Sequence, residues 1–210
     1  MLISVLTPSI RPHGLSVTQS TLEKQTFQDF EWLVEVGIPN KGHDLNAAYN
    51  RMLRRAKGEL VVSLQDYTTI APDGLQRFWE GYKENPDTFF TAPVGKTLDW
   101  KEIKYDWREN KEAKMDWQRW EIDWGAAPLE ALKKIGGFDE ALDEFWSCDN
   151  VNVGKRASMH GYKFMNLPDN KAVAYDHDKV ETHPFRKNYN PDFNNERMGM
   201  IEREEIKIEL

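Results

Sequence analysis

The chain has 210 residues, 40% of them hydrophobic and 30% charged, which suits a soluble globular protein with one sizeable core or a domain with an appendage. Its formal net charge of −7 argues against a broad electrostatic grip on nucleic-acid backbone. Cys148 is the single cysteine, so no intrachain disulfide framework exists, in keeping with a reducing, cytoplasmic setting, and no stretch approaches the roughly 20 apolar residues of a membrane span.

The opening MLISVLTPSIRP reads as a strand, Leu2 to Leu6, followed by a loop from Thr7 to Pro12, rather than as a signal peptide. A helix is predicted over Leu15 to Gln25, and a second strand over Phe30 to Val36, ended by Gly37 and Pro39. Leu45, Ala48, Tyr49, Met52, Leu53 and Ala56 recur at helical spacing, which predicts an amphipathic helix over 43–56. Leu60 to Leu64 is a short apolar run of the length of a buried strand, and it stops at the polar pair Gln65-Asp66. A loop through Thr68 and Thr69 leads to a helix from Pro72 to Tyr82, then a strand from Thr88 to Val94. Strand and helix alternate throughout this half, which predicts an α/β fold with a largely parallel sheet, right-handed crossovers and helices on both faces.

Residues 95–123 break the pattern. Five of the eight tryptophans lie between Trp100 and Trp124, among charges of both signs and with no clean helix or strand period. Two readings stand side by side: a flap offering aromatic faces to a sugar ring or base, and a plug that fills the core beneath a long connection. A short helix follows from Pro128 to Ile135, then a turn over Gly136 to Glu140. Asp149 is placed to cap a helix over roughly 150–160 that closes at His160-Gly161. Lys163 to Leu167 and Ala172 to Tyr175 are two more strands, and a polar tail leads to a terminal helix over 196–210. The organisation expected is one domain over 1–177, with 95–123 as an insertion, and a polar extension over 178–210.

Several stretches, in order, resemble family 2 glycosyltransferases with the GT-A fold. ISVLTPSIRP resembles the family's opening strand and nucleotide loop, and TLEKQTFQDFEWLVEV its "sll.Qt..dfEiivVD" stretch. HDLNAAYNRMLRRAKGELVVSLQDYTTIAPDGL resembles its "N.a...a.Geyi..lDdDd...pd.L" block. WGAAPLEALKKIGGFDEAL is similar to the segment before the catalytic acid, and FWSCDNVNVGKRASMHGYKF to the "ED" stretch with its following helix. Together they span roughly residues 2–177. At two points the chain departs from the pattern: Tyr67 stands where a metal-binding carboxylate is expected after Asp66, and Cys148 replaces the glutamate before Asp149.

The resemblance implies a mostly parallel, Rossmann-like mixed sheet and inverting transfer of a sugar from a UDP-sugar to an acceptor hydroxyl. It places Thr7, Pro8, Ser9 and Arg11 around the base, with Glu35 accepting the uracil N–H; an acceptor-only carboxylate suits that imide. Asn46, and less directly Asn50 one turn on, would reach the nucleotide, and Gln65 and Asp66 would face the donor. Asp66 and His177 would hold a divalent cation, and an imidazole beside a carboxylate suits Mn²⁺ better than Mg²⁺. Arg156 offers a cation-free alternative. Asp149 would be the general base. Two other readings remain open: a nucleotidyltransferase, against which the glycine-poor Thr7 to Gly14 loop argues, and a non-catalytic sugar- or nucleotide-binding module of the same fold.

Overall fold

Two β-sheets organise the computed structural model, which describes residues 1–37, 44–144, 149–176 and 191–210, without the side chains of Asp149, Pro191 and Asn194. The elements run β1 (Ile3–Ser9), a 3₁₀ turn (Pro12–Gly14), α1 (Leu15–Leu22), β2 (Phe30–Val36), α2 (Leu45–Arg55), β3 (Leu60–Leu64), β4 (Thr68–Ile70) and α3 (Gly74–Glu84). They continue with β5 (Thr88–Thr91), β6 (Val94–Thr97), β7 (Lys104–Tyr105), a 3₁₀ turn (Trp107–Glu109), β8 (Trp124–Pro128) and α4 (Leu129–Lys134). After a 3₁₀ turn (Glu140–Glu144) come α5 (Asp149–Met159), β9 (Lys163–Asn166), β10 (Ala172–Tyr175) and α6 (Pro191–Glu202).

The larger sheet has the order β2-β1-β3-β8-β5-β9 among the described residues. β1 lies parallel to β2 and β3, and β5 parallel to β9, while β8 runs antiparallel between β3 and β5. Successive residues of each strand point to opposite faces, and each face carries its own core. Val5, Val62, Phe90 and Ala126 pack with Leu22 of α1 and Leu75 and Phe78 of α3. Leu6, Val61, Phe89 and Ala127 pack with Tyr49, Met52 and Leu53 of α2, Leu132 of α4 and Val153 of α5. The helical spacing that predicted α2 is the spacing that buries this second set.

Several expectations change, among them β1, which runs on to Ser9 where a loop from Thr7 was expected, and α1, which stops at Leu22 rather than Gln25. The run from Thr88 to Val94 is two strands, because Pro93 has no N–H for a ladder. β5 stays in the large sheet and β6 enters a smaller one, ordered β4-β10-β6-β7. Thr68 to Ile70, expected as loop, is the edge strand β4, antiparallel to β10. The stretch before the predicted 128–135 helix is β8, a central strand. Its WGAAP sequence lacks the β-branched residues that signal a strand, and small residues are what fit there: a Cβ on Gly125 would lie 2.5 Å from the Glu121 carbonyl oxygen.

The terminal helix also begins earlier than expected and stops at Glu202. It is tied to the domain by Arg197 on Asp139, at 2.5 and 2.7 Å, and Lys155 on Glu202, at 2.5 Å. Leu210 packs against the core behind it. None of the described helices is long and apolar enough to cross a membrane.

Candidate active site at the carboxyl edge of the sheet

In an open α/β sheet, ligands bind beyond the carboxyl ends of the strands. Here β1 ends at Ser9, β3 leads into Asp66, and Trp124 pairs with Leu64, so residues 121–123 arrive at the same edge. Asp66 is 4% exposed. Its Oδ2 accepts from the Ser9 hydroxyl at 2.7 Å and from Arg11 Nε at 3.4 Å, and its Oδ1 accepts from Arg11 Nη2 at 3.0 Å. Ser9 Oγ in turn accepts from the Arg11 backbone N–H at 3.0 Å, which fixes the loop that carries the arginine. Three residues singled out in the sequence thus form one buried cluster. One guanidinium nitrogen, Arg11 Nη1, is buried without an acceptor among the described residues.

Tyr67 follows with a left-handed backbone, φ 56°. Its N–H donates to the Gly14 carbonyl at 3.2 Å, and its ring packs so closely that a Cβ on Gly14 would meet it at 2.3 Å. Gly14 is required there for lack of a side chain. The ring meets His13 edge-on at 5.3 Å and lies 5.9 Å below the Arg11 guanidinium. Beyond it stands Tyr175 at 6.0 Å, and then Trp100 at 6.1 Å.

The remaining donor candidates have defined partners. Thr7 Oγ1 accepts from the Trp32 indole at 2.9 Å, and the Gln65 carbonyl accepts from Thr18 at 3.2 Å. Pro8 lies half-buried in β1, opposite Glu35 in the register. Glu35 holds two arginines, Arg51 at 3.0 Å and Arg55 at 2.6 Å, one on each oxygen. A carboxylate has about four lone-pair sites, so each oxygen retains one. Asn46 and its backbone N–H both donate to Asp143 Oδ1 at 2.8 Å, and the Ala47 N–H to Oδ2 at 2.9 Å. Asp143 therefore supplies the cap of α2 from 97 residues away, satisfying N–H groups that a helix start leaves open. Asn50 exchanges bonds with the Phe138 backbone and pins the Gly137 turn, where φ is +69° and a Cβ would lie 2.5 Å from Asn50 Oδ1. Both asparagines spend these groups on the fold. Arg156 is buried under α4, donating to the Ile135 carbonyl and to Asn152, and burial lowers its pKa to about 10.

A second cluster at this edge escaped the sequence reading. Arg108 is 2% exposed and forks Asp123 at 2.7 and 3.0 Å while also bonding Asp106 and Thr91, the latter at 2.9 Å. Burial works against its charge, but the two carboxylates outweigh it and hold the guanidinium above its ordinary value. Glu121 accepts from Asn150 of α5 at 2.9 Å. Burial, reinforced by Asp123 and partly offset by Arg108, pushes its carboxyl up to about 7.

The tryptophan segment divides. Trp120 and Trp124 are core, donating to the Phe90 and Asn170 carbonyls, while Trp100 and Trp107 are 43% and 42% exposed. The plug reading holds for Trp120 and Trp124.

Asp149 opens α5 with its side chain outside the described residues, and Cys148 and His177 also lie outside them. Among the described residues no group of His, Cys, Asp and Glu assembles a cation site. The expected cation fits poorly at Asp66, because both oxygens carry donors and one of those donors is itself a cation.

No protein-family model matches the sequence, and no curated protein matches it. Solved structures do. The chain superposes on Staphylococcus aureus TarS 1-349 with TM-score 0.64 and 16% identity, over 86% of this chain and 62% of that one. On TarS 1-349 in complex with UDP-GlcNAc the TM-score is 0.67 at 15% identity, over 90% and 62%. On the complex with UDP it is 0.62 at 16%, over 83% and 60%. The chain spans about three fifths of the length of those structures. It has the GT-A fold: an α/β architecture with a mixed, mostly parallel sheet flanked by helices.

Proposed function

We propose that the chain is an inverting glycosyltransferase that moves a sugar from a UDP-sugar to an acceptor hydroxyl of a glycan, lipid-linked sugar or similar compound. The observation that carries this is the convergence of Ser9, Arg11 and Asp66 at the carboxyl edge of a fold that, in TarS, is seen with UDP-GlcNAc. Thr7, Pro8 and Ser9 at the end of β1 line the base, with Arg11 beside them at the diphosphate end, and Glu35 uses a remaining lone pair for the uracil imide. Gln65 and Asp66 face the donor. Asn46 serves the site at one remove, by holding α2. Residues 1–177 form the transferase unit, and 178–210 extend it. The single cysteine and the net charge of −7 suit a cytoplasmic protein that does not bind nucleic acid broadly.

In the reaction the acceptor oxygen attacks the anomeric carbon from the face opposite the diphosphate. The bond from that carbon to the diphosphate oxygen breaks, its electron pair leaves with UDP, and the hydroxyl proton passes to Asp149. Replacement of Asp149 by Asn keeps a side chain able to accept a bond at a helix start but unable to take a proton. Single-turnover transfer is expected to fall by about 10²-fold or more, with UDP-sugar affinity and melting temperature nearly unchanged. Near-normal transfer in the folded variant would remove Asp149 as the base. UDP is also expected to raise the melting temperature more than ADP or GDP does, and equal shifts would remove the uracil pocket. A binding module without turnover gains some support from Tyr67, whose phenol replaces a carboxylate, and donor binding with no transfer to any acceptor would favour it.

A further inference from the structure

Building on the nucleotide reading above, we infer that Arg11 is the diphosphate-binding group of this site, its guanidinium standing in the place of a divalent cation, so that donor binding does not depend on added metal. Asp66 is the residue on which such a cation would sit. Both its oxygens already accept, from Ser9 at 2.7 Å and from the Arg11 fork at 3.0 and 3.4 Å. A metal on either oxygen would be pressed against a positive guanidinium in a buried setting, where like charges repel strongly. The neighbouring position offers no second carboxylate. It holds Tyr67, whose ring is committed to Gly14 and His13.

The arginine itself is incomplete. Nε and Nη2 are spent on Asp66, but Nη1 is buried with no acceptor among the described residues. An unmet buried donor is costly, more so on a charged group. A guanidinium fork matches phosphate oxygens in shape and charge. The side chain as a whole keeps 15% exposure, so it borders the strand edge, with Nη1 turned inward. Arg156 also keeps a nitrogen without an acceptor, but it lies between α4 and α5 and bonds a carbonyl and an amide. Arg11 sits at the end of β1, where the fold presents its ligands, and Asp66 aims it. The ligand class is a nucleoside diphosphate, held by its phosphates.

Titration calorimetry with UDP, uridine and inorganic pyrophosphate tests this, in EDTA and again in Mn²⁺. The proteins are the parent chain, Arg11→Lys, and Arg11→Gln combined with Asp66→Asn, which keeps a neutral hydrogen-bonded pair and protects the fold. The parent is expected to bind UDP equally with EDTA and Mn²⁺, and pyrophosphate on its own. The double variant should lose about tenfold or more for UDP and pyrophosphate while keeping uridine affinity, with Arg11→Lys in between. A tenfold loss of UDP affinity in EDTA, or unchanged UDP affinity in both folded variants, overturns the assignment and leaves the nucleotide reading in place. Arg11-dependent pyrophosphate binding without preference for UDP supports the anion site and removes the uracil pocket instead. Binding of neither UDP nor pyrophosphate by the parent overturns both.

Discussion

Two arginines meet carboxylates at the same edge of the sheet, and they differ in completeness. Arg108 gives Nε to Asp106, Nη1 to Thr91 and Asp123, and Nη2 to Asp106 and Asp123, so all three nitrogens are spent within the fold. Arg11 spends two and holds the third in reserve. Both are charged, shielded and forked, so neither burial nor charge alone separates a structural arginine from a ligand-binding one. The count of satisfied donors, taken together with position, does. A saturated guanidinium belongs to the architecture, and a spare nitrogen marks a ligand group only at the strand ends, where Arg11 lies and Arg156 does not.

The comparison breaks most visibly at Arg108. Its replacement by Met leaves Asp106 and Asp123 without their counter-charge, and chemical denaturation is expected to show a loss of about 3 kcal/mol or more. UDP should still raise the melting temperature of whatever remains folded. If the variant is as stable as the parent, the network is ornamental and the distinction fails. A smaller effect is expected at Arg11. Arg11→Gln alone retains an amide donor beside Asp66, and the Ser9 bond remains, so the loss should be about 2 kcal/mol. Here, in contrast to Arg108, the thermal shift produced by UDP should largely vanish.

The smallest effect sharpens the comparison by way of Glu121, which belongs to the saturated cluster but carries a carboxyl raised on folding from 4.5 to about 7. The native state holds this proton more tightly than the unfolded chain does. Its contribution is therefore full below the unfolded value and is lost as pH rises from about 4.5 towards 7. Denaturation at pH 5 and pH 8 should show that Glu121→Gln, which keeps an acceptor for Asn150, removes on the order of 1 kcal/mol of the parent's decline. An identical decline in both proteins would mean that the carboxyl is ionised throughout.

Much of the larger sheet was legible because the code for it is local. Phe30 to Val36 and Leu60 to Leu64 are strands at the expected bounds. What escaped was set by tertiary contact. β8 is one Trp followed by Gly, Ala and Pro, and nothing local marks WGAAP as the strand between β3 and β5. Ser9, Arg11 and Asp66 were named from the chain, but not the ion pair, which joins residues 55 apart. Arg108 was hidden because one arginine in a mixed-charge tract looks like any solvated residue. Only the fold brings Asp123 and Thr91 to it, from 15 and 17 positions away. Asn46 and Asn50 shared a helix face as expected, but Asp143 and Phe138, some 90 residues on, decide what they bind.

The pairing of β4 with β10 has a consequence for the time course of folding. Thr69 and Val173 are partners across 104 residues, and the Tyr67 carbonyl accepts from the Tyr175 N–H. β1, β2 and β3 are joined by much shorter loops, so they can collapse while β10 is still free. Contacts of long sequence separation carry the larger closure entropy and form late. Arg11 can thus settle on Asp66 within the early nucleus, whereas the wall of Tyr175 and Trp100 beside it arrives only with the last strand of the small sheet. The order expected from these separations is the ion pair before the pocket around it.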